Sequence, residues 1–450
     1  MDRPRPIERA ANWVGRRRRP LLGGATLIAA ALIVWAIAGA LSGDDQEGEA
    51  ATKVVTVAIE TDDAREAPVG SLGFPLVATR NTTRVGGADA AADAAAVALA
   101  THPPSPQADP VEAAVLVEDG SPYAGISASV LAGPPLRAPI LVGDADGVPE
   151  PTADALAKLN PSGGSAPGDA AVYRVGDVAA PSGYQAEQVA GGSPAEIANG
   201  IDALRARLVN AEPDHVLIAS SEEPAYAMPA AAWAARSGDP VLFSGRDRVP
   251  DPTLAALRRH RDVPVYVLGP RSVISDEAVR ELERVTPGVQ RVGAEGPVAN
   301  AIAFARYADE DFGWNINDPG HGLVLASASR PLDAAAAAAL SASGKWGPLL
   351  VIDAPGTLPA ELRSFLLDIK PGYVADPTRA LYNHVWVIGD SSAIGARVQA
   401  EVDELAELAE VGPGAGGPVG QPQRGSSGLT FPSGSDDDEP QPDAGRPAKP

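Results

Sequence analysis

The apolar and polar positions of this chain run through one program three times. Each run opens on a glycine turn: Thr83-Arg84-Val85-Gly86-Gly87-Ala88-Asp89, Val189-Ala190-Gly191-Gly192-Ser193 and Gln290-Arg291-Val292-Gly293-Ala294-Glu295. Helix-favouring stretches follow, Ala90 to Ala100, Pro194 to Val209 and Val298 to Ala308. Short apolar strands come next, at Ala114 to Val117, His215 to Ile218 and Gly322 to Leu325, and then alanine-rich helical segments such as Pro229 to Arg236 and Leu332 to Ser341. A proline then opens a continuous apolar run: Pro139 to Val142, Pro240 to Phe243 and Pro348 to Val351. Unbroken apolar character, without alternation, marks parallel strands covered on both faces. After one more helix, with proline at or near its start, a strand ends at Gly176, Gly269 or Gly389.

The prolines lie 101 and 108 residues apart, and the closing glycines 93 and 120. Such a period exceeds the roughly 20–50 residues of a solenoid unit and suits a small domain. Strands alternating with helices predict α/β architecture. The expectation is three tandem open α/β sandwich repeats with mostly parallel sheets, over residues 75–188, 189–288 and 289–411.

The two ends read differently. Leu21 to Leu41 is uncharged and strongly apolar, close to the roughly 20 residues that cross a bilayer as a helix. Arg16 to Arg19 precede it, and Asp44, Asp45, Glu47 and Glu49 follow. That polarity places a basic terminus, 1–19, in the cytoplasm, a transmembrane helix at 20–42, and the rest on the extracytoplasmic side of the cell membrane. A cleaved signal peptide is the competing reading, with small-residue sites at Ala36-Ile37-Ala38 and Ala38-Gly39-Ala40. Residues 43–74 read as a spacer with one strand, Lys53 to Glu60. Residues 412–450, rich in Gly, Pro and Ser with Asp436-Asp437-Asp438-Glu439, read as a disordered tail.

The formal charge of -22 speaks against nucleic acid as a partner. The absence of cysteine excludes disulfides, thiolate metal sites and cysteine nucleophiles. The five histidines show no metal-ligand spacing, and His215 and His384, beside strand starts, read as structural. Gly389-Asp390-Ser391 lacks a nucleophile elbow and an assignable base. Glu118-Asp119, Glu222-Glu223 and Asp309-Glu310-Asp311 read as solvated acidic loops. No enzyme activity, catalytic residue, metal or cofactor is expected.

With this program in hand, the chain resembles the bacterial cell wall-binding repeat 2 family. The resemblance rests on Arg84-Val85-Gly86-Gly87-Ala88-Asp89, on the proline-led runs, and on strand-glycine turns such as Leu268-Gly269-Pro270-Arg271-Ser272-Val273-Ile274-Ser275. It covers about residues 75 to 408. It implies an open α/β fold packed about a pseudo-threefold axis. It also implies noncovalent, S-layer-like attachment to anionic polymer or peptidoglycan-associated glycan of a Gram-positive wall, with the runs at Pro139, Pro240 and Pro348 close to the polymer. The family's aspartate after the first long strand is kept only at Asp333; Gly125 and Tyr226 stand in the matching places. An acidic chain holding an anionic polymer needs local arginines or bridging cations. Arg84, Arg246, Arg248, Arg271 and Arg291 are the candidates for such a patch, beside Asp89 and Asp333. Two alternatives stand: degenerate repeats that assemble with envelope proteins, and a wall hydrolase.

Overall fold

The computed structural model describes residues 76–104, 110–164, 169–286 and 288–411. The expected membrane helix, the spacer and the tail lie outside these residues. Among the described residues no helix is long and apolar enough to cross a membrane.

The chain is α/β, and its sheets are mostly parallel. Three of them share one strand order, with the proline-led strand at an edge. The first runs Ile140–Gly143, Ala114–Glu118, Val172–Val175, Ala186–Val189. The second runs Val241–Ser244, Val216–Ser220, Val265–Leu268, Val289–Val292. The third runs Trp346–Ile352, Gly322–Ser327, His384–Ile388, and then Thr82–Val85 from the other end of the chain. Leu76–Ala78 adds an antiparallel edge strand to it. Gly372–Tyr373 and Ala409–Glu410 form a separate two-stranded pair.

The sheets are therefore out of phase with the sequence repeats. The strand of each opening turn completes the preceding sheet: Ala186–Val189 the first and Val289–Val292 the second. Thr82–Val85 completes the third, in register Thr82 to Val385 and Val85 to Ile388. The helix after each turn then crosses over. Ala90–Thr101 covers the strand Ile140–Gly143, Pro194–Val209 covers Val241–Ser244, and Pro297–Arg306 covers Trp346–Ile352. Local chemistry starts two of these helices at the crossing. Asp89 accepts the Ala92 N–H (2.9 Å) and Ser193 the Glu196 N–H (3.3 Å).

The alanine-rich helices Pro122–Ala128, Pro224–Ser237 and Asp333–Ala342 touch one another pairwise. Short side chains let the helices approach closely, and Ala124, Ala230, Ala231, Ala334 and Ala335 are fully buried. Gly125 shows how tight this centre is. A Cβ there would stand 2.7 Å from the Ala335 methyl and 2.7 Å from Leu332 Cδ1. The same crowding explains why the first repeat has no aspartate at this place. Gly125→Ala is expected to cost about 1–3 kcal/mol by overpacking, read as a lowered denaturant midpoint. An unchanged midpoint would show the three helices to be loosely set.

In the insertion Asp309 to Pro319, Glu310 and Asp311 are exposed, as expected of a solvated acidic loop, but Asp309 and the aromatics that follow are not. Phe312 and Trp314 are buried, and Phe312 stacks on Tyr266 with ring centroids 3.5 Å apart. Asp309 accepts hydrogen bonds from Tyr266 Oη (2.8 Å) and Gln290 Nε2 (2.6 Å). Polar residues flank two aromatics there, and the aromatics fill a gap in the second unit's core. His215 and His384 are held structurally, by Asp239 and by Thr83 Oγ1 respectively.

Candidate functional site: a charged junction at the closing strand

Parallel strands deliver their loops to one end of a sheet, and ligands of open α/β folds bind there. At that end of the third sheet, Val85 and Ile388 lie side by side and both run into glycine. Gly86 has φ +135°, and a Cβ on it would lie 2.3 Å from Asp93 Oδ1 and 2.7 Å from the Gly389 nitrogen. Only glycine fits such an approach. The space it leaves is filled by Asp93, the single acid in the helix Ala90–Thr101, which accepts the Gly87 N–H.

Arg330 enters from the loop after Gly322–Ser327. Its guanidinium donates to Asp93 Oδ2 (3.2 Å), Asp390 Oδ1 (3.1 Å), Ser392 Oγ (2.8 Å) and the carbonyls of Gly87 (3.3 Å) and Ala88 (3.0 Å). One side chain thus ties the first described helix to the last sheet. Arg84 makes a second clamp, donating to Gln399 Oε1 (2.8 Å) and the carbonyls of Gly389 (2.8 Å), Asp390 (2.8 Å) and Ile394 (2.6 Å).

Asp333, at the start of its alanine helix, is fully buried beside Asp93. Among the described residues no donor from the rest of the protein reaches either of its carboxylate oxygens, so its one hydrogen bond is the one its own proton can make to Asp93. Burial, and then the charge of Asp93, push its pKa well above the ordinary carboxylate range. Burial also raises Asp93, to about 6, against the opposing pull of the Gly87 N–H, Asp333 and Arg330. Burial works to raise Asp390 too, but hydrogen bonds from Ser392 and the Arg330 charge bring it below the usual range. The junction thus pulls its three carboxyls apart: Asp390 toward the ionised form, Asp333 toward the protonated form, and Asp93 between them. Ser392 Oγ is bonded to Asp390 and Arg330, not to a histidine.

The two sister junctions have lost this chemistry. Eight residues beyond the strand-ending valines Val85, Val189 and Val292 stand Asp93, Ile197 and Asn300. At the second-to-third junction Asn300 Nδ2 donates to the Tyr226 carbonyl (3.2 Å), and Tyr226 Oη accepts the Gly296 N–H (2.8 Å). One feature is shared by all three. Arg84, Gln188 and Arg291 each donate to the carbonyl of the closing glycine alongside.

The residues singled out from the sequence are dispersed. Arg84, Asp89 and Asp333 lie at the closing junction. Pro139, Pro240 and Pro348 are buried in or beside edge strands, and the first two give their carbonyls to Val115 and Leu217. The five arginines do not form one patch. Arg84 is spent on its clamp. Arg271 and Arg291 pair with Asp276 (2.9 and 3.6 Å). Arg246 Nε donates to the Ser272 carbonyl (3.0 Å), and Arg248 lines a separate groove. Sequence reading missed Asp93 and Arg330. Their signals are a lone carboxylate in an alanine helix and an arginine three residues before Asp333. Among the described residues no group of three or more His, Asp or Glu is placed to hold a metal ion.

A ring of three parallel α/β units, closed by a strand from the chain's early part, defines the structural class. Solved structures carry the same fold. Cwp8 from Clostridium difficile superposes with a TM-score of 0.56 at 18% identity, over 73% of this chain and 52% of that one. Cwp6 from the same organism gives 0.56 at 19% identity, over 73% and 48%. The chain thus spans about half the length of either. At this identity the likeness is one of fold, and it agrees with the open α/β architecture expected of the chain. No protein-family model and no curated protein matches the chain.

Proposed function

We propose that this chain is a non-catalytic, wall-associated protein of the bacterial envelope, whose three units are set about a pseudo-threefold axis through the alanine helices. The fold likeness to Cwp8 and Cwp6 over 73% of the chain carries the reading. The apolar run Leu21 to Leu41 behind Arg16 to Arg19 supports a membrane anchor with the units facing the wall. Noncovalent association with wall polymer is the corresponding activity. The full-length protein is expected to sediment with purified Gram-positive walls above an unrelated acidic control, with or without calcium. Recovery no greater than the control's in both conditions would overturn it.

A second reading is favoured by one observation. Ile197 and Gly125 at one junction, and Asn300 and Tyr226 at the next, replace the charged residues kept at the closing junction. Units that have shed their polar groups suit assembly with envelope proteins. Crosslinking in cells would then capture defined protein partners while wall sedimentation stays at background.

A further inference from the structure

The helices Asp251–Leu257 and Asp276–Glu283 of the second unit flank a groove of about 530 Å3. Four arginines line it, Arg248, Arg258, Arg261 and Arg284, against two carboxylates, Asp251 and Glu281. One of those carboxylates is engaged, since Glu281 Oε2 accepts the Val249 N–H (2.9 Å). All four arginines are exposed, and among the described residues none forms an ion pair. Their neighbours behave otherwise: Arg259 pairs with Asp202 at 2.6 Å, and Arg271 with Asp276 at 2.9 Å. The groove floor is apolar, with Val249 buried and Leu254 half-buried.

A protein of net charge -22 has ample acid to neutralise such a cluster, yet leaves four cations converging on one concavity. Their mutual repulsion is relieved by a bound anion. Guanidinium forks suit phosphate and carboxylate oxygens, and a phosphate has enough acceptor oxygens to engage more than one fork. Several forks spread along one open groove suit repeated anionic groups better than a single small ion.

We propose that this groove binds a polyanion whose repeat carries phosphate groups, held by Arg248, Arg258, Arg261 and Arg284. The inference deepens the wall-associated reading and rests on it for where such a polymer is met. The full-length chain, kept in mild detergent, is titrated with inorganic polyphosphate and with polyglutamate of matched charge. Polyphosphate is expected to bind more tightly than polyglutamate and to weaken as salt rises. Arg258→Glu/Arg284→Glu should lower its affinity at least about tenfold, since each charge-assisted contact is worth that much. Arg80→Gln, at an exposed ion pair with Glu407 in the third unit, should leave it unchanged, and circular dichroism should show both variants folded. Undiminished binding by the double variant, equal binding of polyglutamate, or no polyphosphate binding at all overturns the groove. Failure of the wall reading looks different: wild-type protein that binds polyphosphate but does not sediment with walls.

Discussion

Arg330→Met is expected to lower stability by about 3–5 kcal/mol at pH 8, the cost of leaving a buried charge without its partner. Among the described residues, Arg330 is the only side chain that donates at once to Asp93, Asp390, Ser392 and the backbone of the Gly87-Ala88 turn. Methionine keeps the length of the side chain and removes the donors, so the loss measures charge and hydrogen bonding more than volume. Asp93 has no exposure to water with which to replace them. The loss should shrink at pH 5, because Asp93, with its pKa near 6, then takes up a proton and no longer needs a cation. Denaturant unfolding followed by tryptophan fluorescence reads it, with Trp386 on the strand that pairs with Thr82–Val85. A loss under about 1 kcal/mol, the same at pH 5 and pH 8, would show that the ring is held closed by its apolar packing alone.

The second large effect runs in the opposite direction. Asp333→Asn should stabilise the protein at pH 8 by about 1–3 kcal/mol and flatten its pH dependence. The sign follows from proton binding. A carboxyl whose pKa is raised on folding holds its proton more tightly in the folded chain. Its full contribution is present below the unfolded value, and it is lost as pH climbs through the folded one. For Asp93 that window runs from 3.8 to about 6 and is worth about 3 kcal/mol. Asp333 shifts in the same direction and extends the loss to higher pH. Asparagine is the same size, does not ionise, and offers an N–H2 to Asp93. The wild type should therefore melt at a higher temperature at pH 5 than at pH 8, and the variant should show a smaller difference. Equal slopes for the two proteins would remove the carboxyl pair as the cause.

How much of this was legible in the sequence depends on the distance over which each residue acts. The proline-led strands announced themselves, since burial on both faces leaves an unbroken apolar run. The helix starts at Asp89 and Ser193 were readable because capping is local. The partner of each opening strand was not. Thr82–Val85 carries the same signature whether it pairs within its own repeat or with the last one, and periodicity says nothing about which sheet a strand joins. The arginines failed for a related reason. Arg84, Arg246, Arg248, Arg271 and Arg291 look alike as letters, but the first is consumed by backbone carbonyls and the others divide between Asp276, a Ser272 carbonyl and the groove. Asp93 and Arg330 lie 237 positions apart, so their pairing becomes visible only once the ring is drawn.

The closing strand also sets an order of events in time. A ribosome makes Thr82–Val85 early, whereas its partner His384–Ile388 appears roughly 300 residues later. The first and second sheets need nothing from that late segment and are free to form as soon as their strands emerge. The third must wait, with an unpaired early strand held in reserve. Contacts this distant in sequence slow folding. The seam between the oldest and newest parts of the chain is therefore the last to be sewn, and it is the one seam of the three where a half-buried arginine and its aspartates survive.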